Sequence, residues 1–236
     1  MSTIFNWNRY LPFYSRAEIR RYLEAEYRKL NYPNSERHAH ERHTSFCYHI
    51  EHAEAFYIQS NVSPTIIQPL LQFYGLSHLI KACLITKDPF YPSNTSQLAH
   101  GVSSRKKKKS NYSFLEDTVK IQKNGLFPTL SSLLFHVEHL ENATFTMEEL
   151  ILLLEKEPNE NSLNAIQCHF LLLYNLSMIA RYETEWWGNC TMFKETEDYS
   201  IIRGFLHLSS HYAPQAILDF LSIEGKGKLI TPEDQR

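Results

Sequence analysis

"SLNAIQCHFLLLYNLSMIA", residues 162–180, is the most apolar window of the chain, and what it forms decides the fold. Its length approaches that of a bilayer span, but Asn164, Gln167, His169, Asn175 and Ser177 interrupt it. Polar side chains at that density are costly in hydrocarbon, so the window reads as a buried helix. Over 161–187, Leu163, Ile166, Phe170, Leu173, Leu176 and Ala180 share one helical face, which makes this the expected central core helix.

A helix hydrophobic enough to be central needs other helices around it, and the flanking sequence supplies them. "SRAEIRRYLEAEYRKL" opens with a Ser15-x-x-Glu18 capping box and predicts a helix over about 16–30, ended by "NYPNS". A second helix is expected over 43–60, and a third after Pro64, with Pro69 delaying or bending its start. Pro128 fits the first turn of "PTLSSLLFHVEH", and Thr146-x-x-Glu149 is a second capping box, before "MEELILLLEKE". Two shorter helices, 198–210 and 214–223, complete the series. Between 111 and 123 the pattern changes to two short strands around a turn at Glu116 and Asp117. With only 7 glycines in 236 residues, the expected class is mainly α. The expectation is a bundle of about seven to eight helices with a small β-hairpin insert near 111–123. Residues 1–225 are read as a single helical domain with an excursion at 86–127, and 226–236 as a flexible tail.

Composition narrows the function classes. A chain that is 43% hydrophobic can build a core, and a net charge of -2 gives no overall attraction to nucleic acid or to an anionic membrane. Electrostatic recognition must therefore come from a local patch. Cys47, Cys83, Cys168 and Cys190 are widely spaced with no C-x-x-C pair, and the start "MSTIFNWNRYLPFYS" has neither a basic nor an apolar leader region. These features lead to the expectation of a reduced, cytoplasmic protein that neither crosses nor binds a membrane.

The concentrated positive feature is "SRKKKK", which places Arg105, Lys106, Lys107, Lys108 and Lys109 in succession. Such a run must be solvated, and an exposed cluster of cations is suited to phosphate. It is also the composition of an ordinary solubilising loop. His100 and Gly101 lie at its base, and Tyr112 and Phe114 beyond it could stack on a base.

Three other constellations carry chemistry-bearing side chains. "RHAHERHTSFCYHIEH" holds His38, His40, His43, His49 and His52 with Cys47 and Glu51, but its spacing matches no zinc framework, so neither a metal nor a cofactor is expected. His136 and His139 form another pair three residues apart, equally unspecific. "LSMIARYETEWWGN" gathers Arg181, Tyr182, Trp186 and Trp187 at the end of the central helix, as a ligand pocket, an interface or a structural anchor would. No G-x-S-x-G elbow, P-loop or G-x-G-x-x-G fingerprint is present, which removes the common hydrolase and nucleotide-fold readings.

"PLLQFYGLSHLIKACLITKDPFYP" (69–92), "LAHGVSSRKKKKSNYSFLEDTVKIQKNGLF" (98–127) and "LSMIARYETEWW" (176–187) together resemble the YaaC-like family of bacilli and related bacteria. The resemblance implies a bacterial cytosolic protein and brings no established reaction with it. A looser resemblance, carried by "FYGLSHLIKACL" followed by a loop and "HG", is to the helical bundles called HEPN domains. Catalytic members of that group carry an arginine and, after four to six intervening residues, a histidine. Arg181 has no such partner here, and only three residues separate Arg203 from His207. Arg37 with His43 and Arg42 with His49 do have suitable gaps.

The leading expectation is a non-catalytic helical protein that binds RNA, a nucleotide or an acidic protein partner through the basic loop. The alternatives are a metal-independent ribonuclease of HEPN type, using Arg37, Arg42, His43 or His49, and a regulatory subunit of a metabolic enzyme.

Overall fold

The computed structural model describes residues 5–105, 112–155 and 163–224. Its helices are α1 (Arg16–Lys29), α2 (Ser35–Val62), α3 (Gln68–Lys87), α4 (Leu126–Phe135), α5 (Met147–Glu155), α6 (Ala165–Tyr182), α7 (Thr184–Phe193) and α8 (Glu197–Glu224). A 3₁₀ helix, Trp7–Tyr14, precedes them. The mainly helical class with a small antiparallel insert is thus observed. The expected flexible tail lies outside the described residues.

α6 is the centre. Every side chain from Ile166 to Ile179 is buried, the signature of a helix surrounded on all sides. α3, α4, α5, α7 and α8 all pack on it. Its polar residues stay helical because most of them find partners inside. Asn164 and Gln167 close a capping box at the N-terminus, and Gln167 also donates to Ser131 Oγ at 2.8 Å. Ser177 donates to the Tyr174 carbonyl at 2.7 Å. His169 lies between Phe205 and Tyr212, stacked on both. The helix stops at Tyr182, short of the predicted 187, and α7 begins at Thr184 after the non-helical Glu183.

Three further boundaries differ from the sequence reading. α2 starts at Ser35 rather than 43, taking the whole histidine tract into one long helix. Pro69 lies within the first turn of α3, where its missing N–H has no carbonyl to serve. The expected pair 198–210 and 214–223 is one helix, α8, running through Pro214. Ile202, Phe205 and Leu206 before that proline and Ala213, Ile217 and Leu218 after it are all buried, so packing on both sides holds the helix through the lost hydrogen bond.

The insert is a three-stranded antiparallel sheet in the order β1 (Val102–Ser104), β2 (Thr118–Ile121), β3 (Thr144–Thr146). The predicted second strand is β2, but 112–117 is not its partner. β2 pairs with Val102–Ser104 on one side and Thr144–Thr146 on the other. Residues 112–117 instead fold onto the core. Phe114 is fully buried and its N–H donates to Asp198 at 3.2 Å. The buried Asp117 accepts from Tyr112 and from Asn175 of α6, each at 2.9 Å. Anchors at both ends of the segment leave no edge free for strand pairing.

Gly101 and Gly125 fix where the sheet joins the bundle. Both have positive φ, +78° and +136°, and a Cβ on Gly125 would lie 2.3 Å from the Gly101 backbone. Only two glycines permit this contact. It lets the first N–H groups of α4 reach back, Leu126 to the Ala99 carbonyl at 2.7 Å and Phe127 to that of His100 at 3.0 Å.

Candidate functional site

α2 and α3 pack along their length, and their seam collects basic and aromatic side chains. On α2, His49, His52 and Phe56 follow at i, i+3 and i+7. On α3, Tyr74, His78 and Lys81 follow at i, i+4 and i+7, so each set shares a face. Where the faces meet, His49 Nδ1 lies 2.9 Å from His78 Nδ1. One of these nitrogens must carry a proton and the other a lone pair. His52 lies flat on His78, 5.1 Å between ring centres and 12° between planes, and Phe56 stacks on the His78 ring and on Tyr74.

The strip continues onto the segment before the sheet. His100 contacts Phe73 at 4.9 Å, Tyr174 at 5.8 Å and Tyr74 at 6.4 Å between ring centres. The Gly101–Gly125 contact holds it there, through the bond from Phe127 N–H to its carbonyl. Arg181, at the end of α6, completes the site. It donates to the Ser177 carbonyl at 3.0 Å and lies against Met178 Sδ.

The electrostatics all have one sign. Burial is the main cause that lowers the His49 pKa to about 3, and His78, Lys81, His52 and Arg42 add to it. His78 is lowered to about 4 by burial, then by Lys81 and His52. Burial also lowers Lys81, and His100 is lowered by burial, Arg181 and Lys81. Every charged neighbour acting on these four groups is basic. Among the described residues neither Lys81 nor Arg181 has a carboxylate partner. A half-buried cluster of bases without counter-ions favours an anion.

A family model described as YaaC-like Protein matches residues 11–156 and 151–221. The chain belongs to the YaaC-like family. No curated protein and no solved structure gives a significant match to it. In this YaaC-like chain the cluster draws on matched segments throughout, from Arg42 to Arg181.

The sequence-based candidates fall into distinct places. His49, His100 and Arg181 come together in the cluster. Arg42 lies two turns before His49, with its guanidinium on the Tyr91 carbonyl. Arg37 instead pairs with Glu41 at 2.9 Å, and His43 bonds the His40 carbonyl of its own helix at 2.7 Å. Trp187 is buried, its indole N–H donating to the Ile66 carbonyl at 2.8 Å. Trp186 meets Tyr112 edge-on at 4.6 Å, and Tyr182 is exposed. The Arg181 guanidinium lies over the Tyr182 ring at 5.4 Å and is near enough to His100 to lower its pKa, while Trp186 and Trp187 serve the packing of α7.

Arg105 follows β1 and lines a polar depression of about 320 Å³ with Lys120, Ser103, Ser104, Thr118 and Thr144. Lys106, Lys107, Lys108 and Lys109 lie outside the described residues. No group of three or more His, Cys, Asp or Glu side chains suited to a metal occurs among the described residues, and no helix among them is long and apolar enough to cross a membrane.

His78 and Lys81 were missed in the sequence because they carry no motif. The available signal was their helical spacing from Tyr74, matched to the spacing of His49 and His52 on the preceding helix.

Proposed function

We propose that this YaaC-like protein binds an anionic ligand, RNA or a nucleotide, at the α2–α3 seam between Lys81, His100 and Arg181. The basic run Arg105 to Lys109 is the second source of positive charge for such a ligand. The chain acts as a binding module. The observation that carries this reading is the desolvated group of His49, His78, Lys81 and His100, whose charged neighbours are all basic. Placing an anion there relieves the repulsion, and imidazoles that take up protons strengthen the contact.

Calorimetric titration with ADP and with a short oligoribonucleotide tests the reading. Lys81→Gln and Arg181→Gln should each weaken binding about tenfold or more, a loss of about 1.4 kcal/mol, while the melting temperature stays near that of the wild type. Replacing the four lysines by glutamine should flatten the salt dependence by about 0.7 per lost phosphate contact. Equal affinity in all three variants would reject the site, and binding of an acidic peptide but neither ligand would shift the reading to a protein partner.

A second reading, a metal-independent ribonuclease, draws on one arrangement: Arg42 and His49 lie two turns apart on α2, and His49 shares a proton with His78. An imidazole pair of this kind can move a proton at a 2'-hydroxyl. Labelled RNA incubated with the wild type, His49→Ala and His78→Ala decides it. Cleavage that disappears in both variants supports the enzyme, and cleavage equal in all three removes these residues from the role.

A further inference from the structure

The outer face of the three-stranded sheet carries charge that the fold does not use. Side chains of a strand alternate between its two faces, and Val102, Val119 and Ile121 are the ones buried against the bundle. The register therefore sets Ser103, Lys120 and Thr144 side by side in one row on the other face, and it brings Arg105 beside Thr118 in the next row. These five side chains line the depression of about 320 Å³, and no carboxylate is among its walls.

Other surface cations of the chain are treated differently. Arg20, Arg21, Arg28, Lys29 and Arg37 on α1 and α2 each pair with a glutamate. Neither Arg105 nor Lys120 has an ion-pair or hydrogen-bond partner among the described residues. The side chains around them are hydroxyls, so the face offers hydrogen-bond donors and positive charge, as phosphate oxygens require. No aromatic ring lines the depression, which leaves a base nothing to stack on there.

The α2–α3 seam has the complementary chemistry. His52, His78, Phe56 and Tyr74 succeed one another as nearly parallel rings, with 12°, 23° and 27° between neighbouring planes. His52, at one end of that stack, is exposed, and a planar base can extend it.

β1 connects the two places. His100, on the seam side, precedes it and contacts Phe73 and Tyr174 of the bundle. Arg105 follows it on the outer side, at the start of the basic run. The strand and the thickness of the sheet separate them by about 10 Å or more. The phosphates of one nucleotide are adjacent and cannot serve both places, whereas a polymer with a charge on every residue can. β1 is also an edge strand, so no further strand closes the way from the outer face round to the seam.

We infer that the outer face of the sheet is the phosphate track of a single-stranded oligonucleotide, whose unpaired base stacks at the seam. The inference rests on the proposed anion site at the seam and decides between its two ligands in favour of the oligomer. Lys120 and Arg105 hold phosphates with help from the hydroxyls of Ser103, Thr118 and Thr144.

The test is calorimetric titration of the full chain with ADP, with oligoadenylates of two, four and eight residues, and with a G·C-rich RNA duplex of eight base pairs. Affinity should rise about tenfold or more from ADP to the octamer, because each added phosphate contact releases counterions. Lys120→Gln should weaken the octamer about fivefold and lower its salt slope by about 0.7, with ADP affinity and melting temperature unchanged. Arg21→Gln, which removes the same charge from α1, should alter neither ligand. The inference is overturned if ADP or the duplex binds as tightly as the octamer, or if Lys120→Gln affects the octamer no more than Arg21→Gln does. ADP binding that is still lost in Lys81→Gln would then leave the seam site standing without the track. A wild type that binds neither ADP nor the octamer rejects both.

Discussion

His49 and His78 face each other Nδ1 to Nδ1 at 2.9 Å across the α2–α3 seam, so the folded protein holds one proton between two rings. Both are pushed well below an ordinary histidine, His49 to about 3 and His78 to about 4. The folded state therefore resists protonation that the unfolded chain accepts near pH 6.5. Stability from this pair is complete above about pH 6.5 and is lost as the pH falls toward 4 and then 3. The slope is at most about 1.4 kcal/mol per pH unit for each proton taken up on unfolding, with solvent screening reducing the share of the more exposed His78. Buried His169, also near 3, acts in the same direction. Urea midpoints measured from pH 7 to pH 4 should fall steadily, and His78→Gln should shallow the decline.

The same pair gives the proposed anion site an opposite pH dependence. A bound anion favours the protonated rings, so affinity should rise between pH 7 and pH 5.5 even as the free protein becomes less stable. Titration at the two pH values checks this, and a flat profile would place the ligand away from His49 and His78.

Gly125 and Gly204 should respond in opposite ways to alanine. At Gly125 the φ of +136° and a 2.3 Å approach to Gly101 leave no room for a Cβ. Gly125→Ala should cost about 3 kcal/mol or more, disturbing His100 as well as the sheet. Gly204→Ala meets open space and should gain up to about 1 kcal/mol. Denaturant unfolding of the two variants measures both effects.

Asn175 on the central helix holds the segment between the basic run and β2 through its bond to Asp117. Asn175→Leu leaves that buried carboxylate with one donor fewer, at a cost of about 2 kcal/mol. Hydrogen exchange should show the loss concentrated in amides of 112–121, because that stretch is tied to the core by Asp117 and Phe114. Uniform loss over all helices would mean that the contact supports the bundle generally.

The helical class, the central place of 165–182 and the caps at Ser15 and Thr146 were all legible in the sequence. Each depends on residues within a few positions of one another. The Thr146–Glu149 box forms in both directions, at 2.7 and 3.1 Å. The boundaries that moved, at Pro214 and at the partner of β2, were decided by distant packing. Local turn and strand patterns cannot report that Phe114 will be drawn into the core, or that burial on both sides will carry α8 through a proline.

The candidate site shows the same division. By itself the sequence determined which residues could carry charge or stack, and which helix face each would occupy, because helical periodicity fixes the faces. Only the tertiary structure decided that His49 meets His78, that Lys81 and Arg181 both act on His100, and that Ser103, Lys120 and Thr144 form one row across the sheet. Those partners lie from 17 to 81 residues apart. Periodicity says which face is covered but not what covers it, and the pKa shifts arise from that cover.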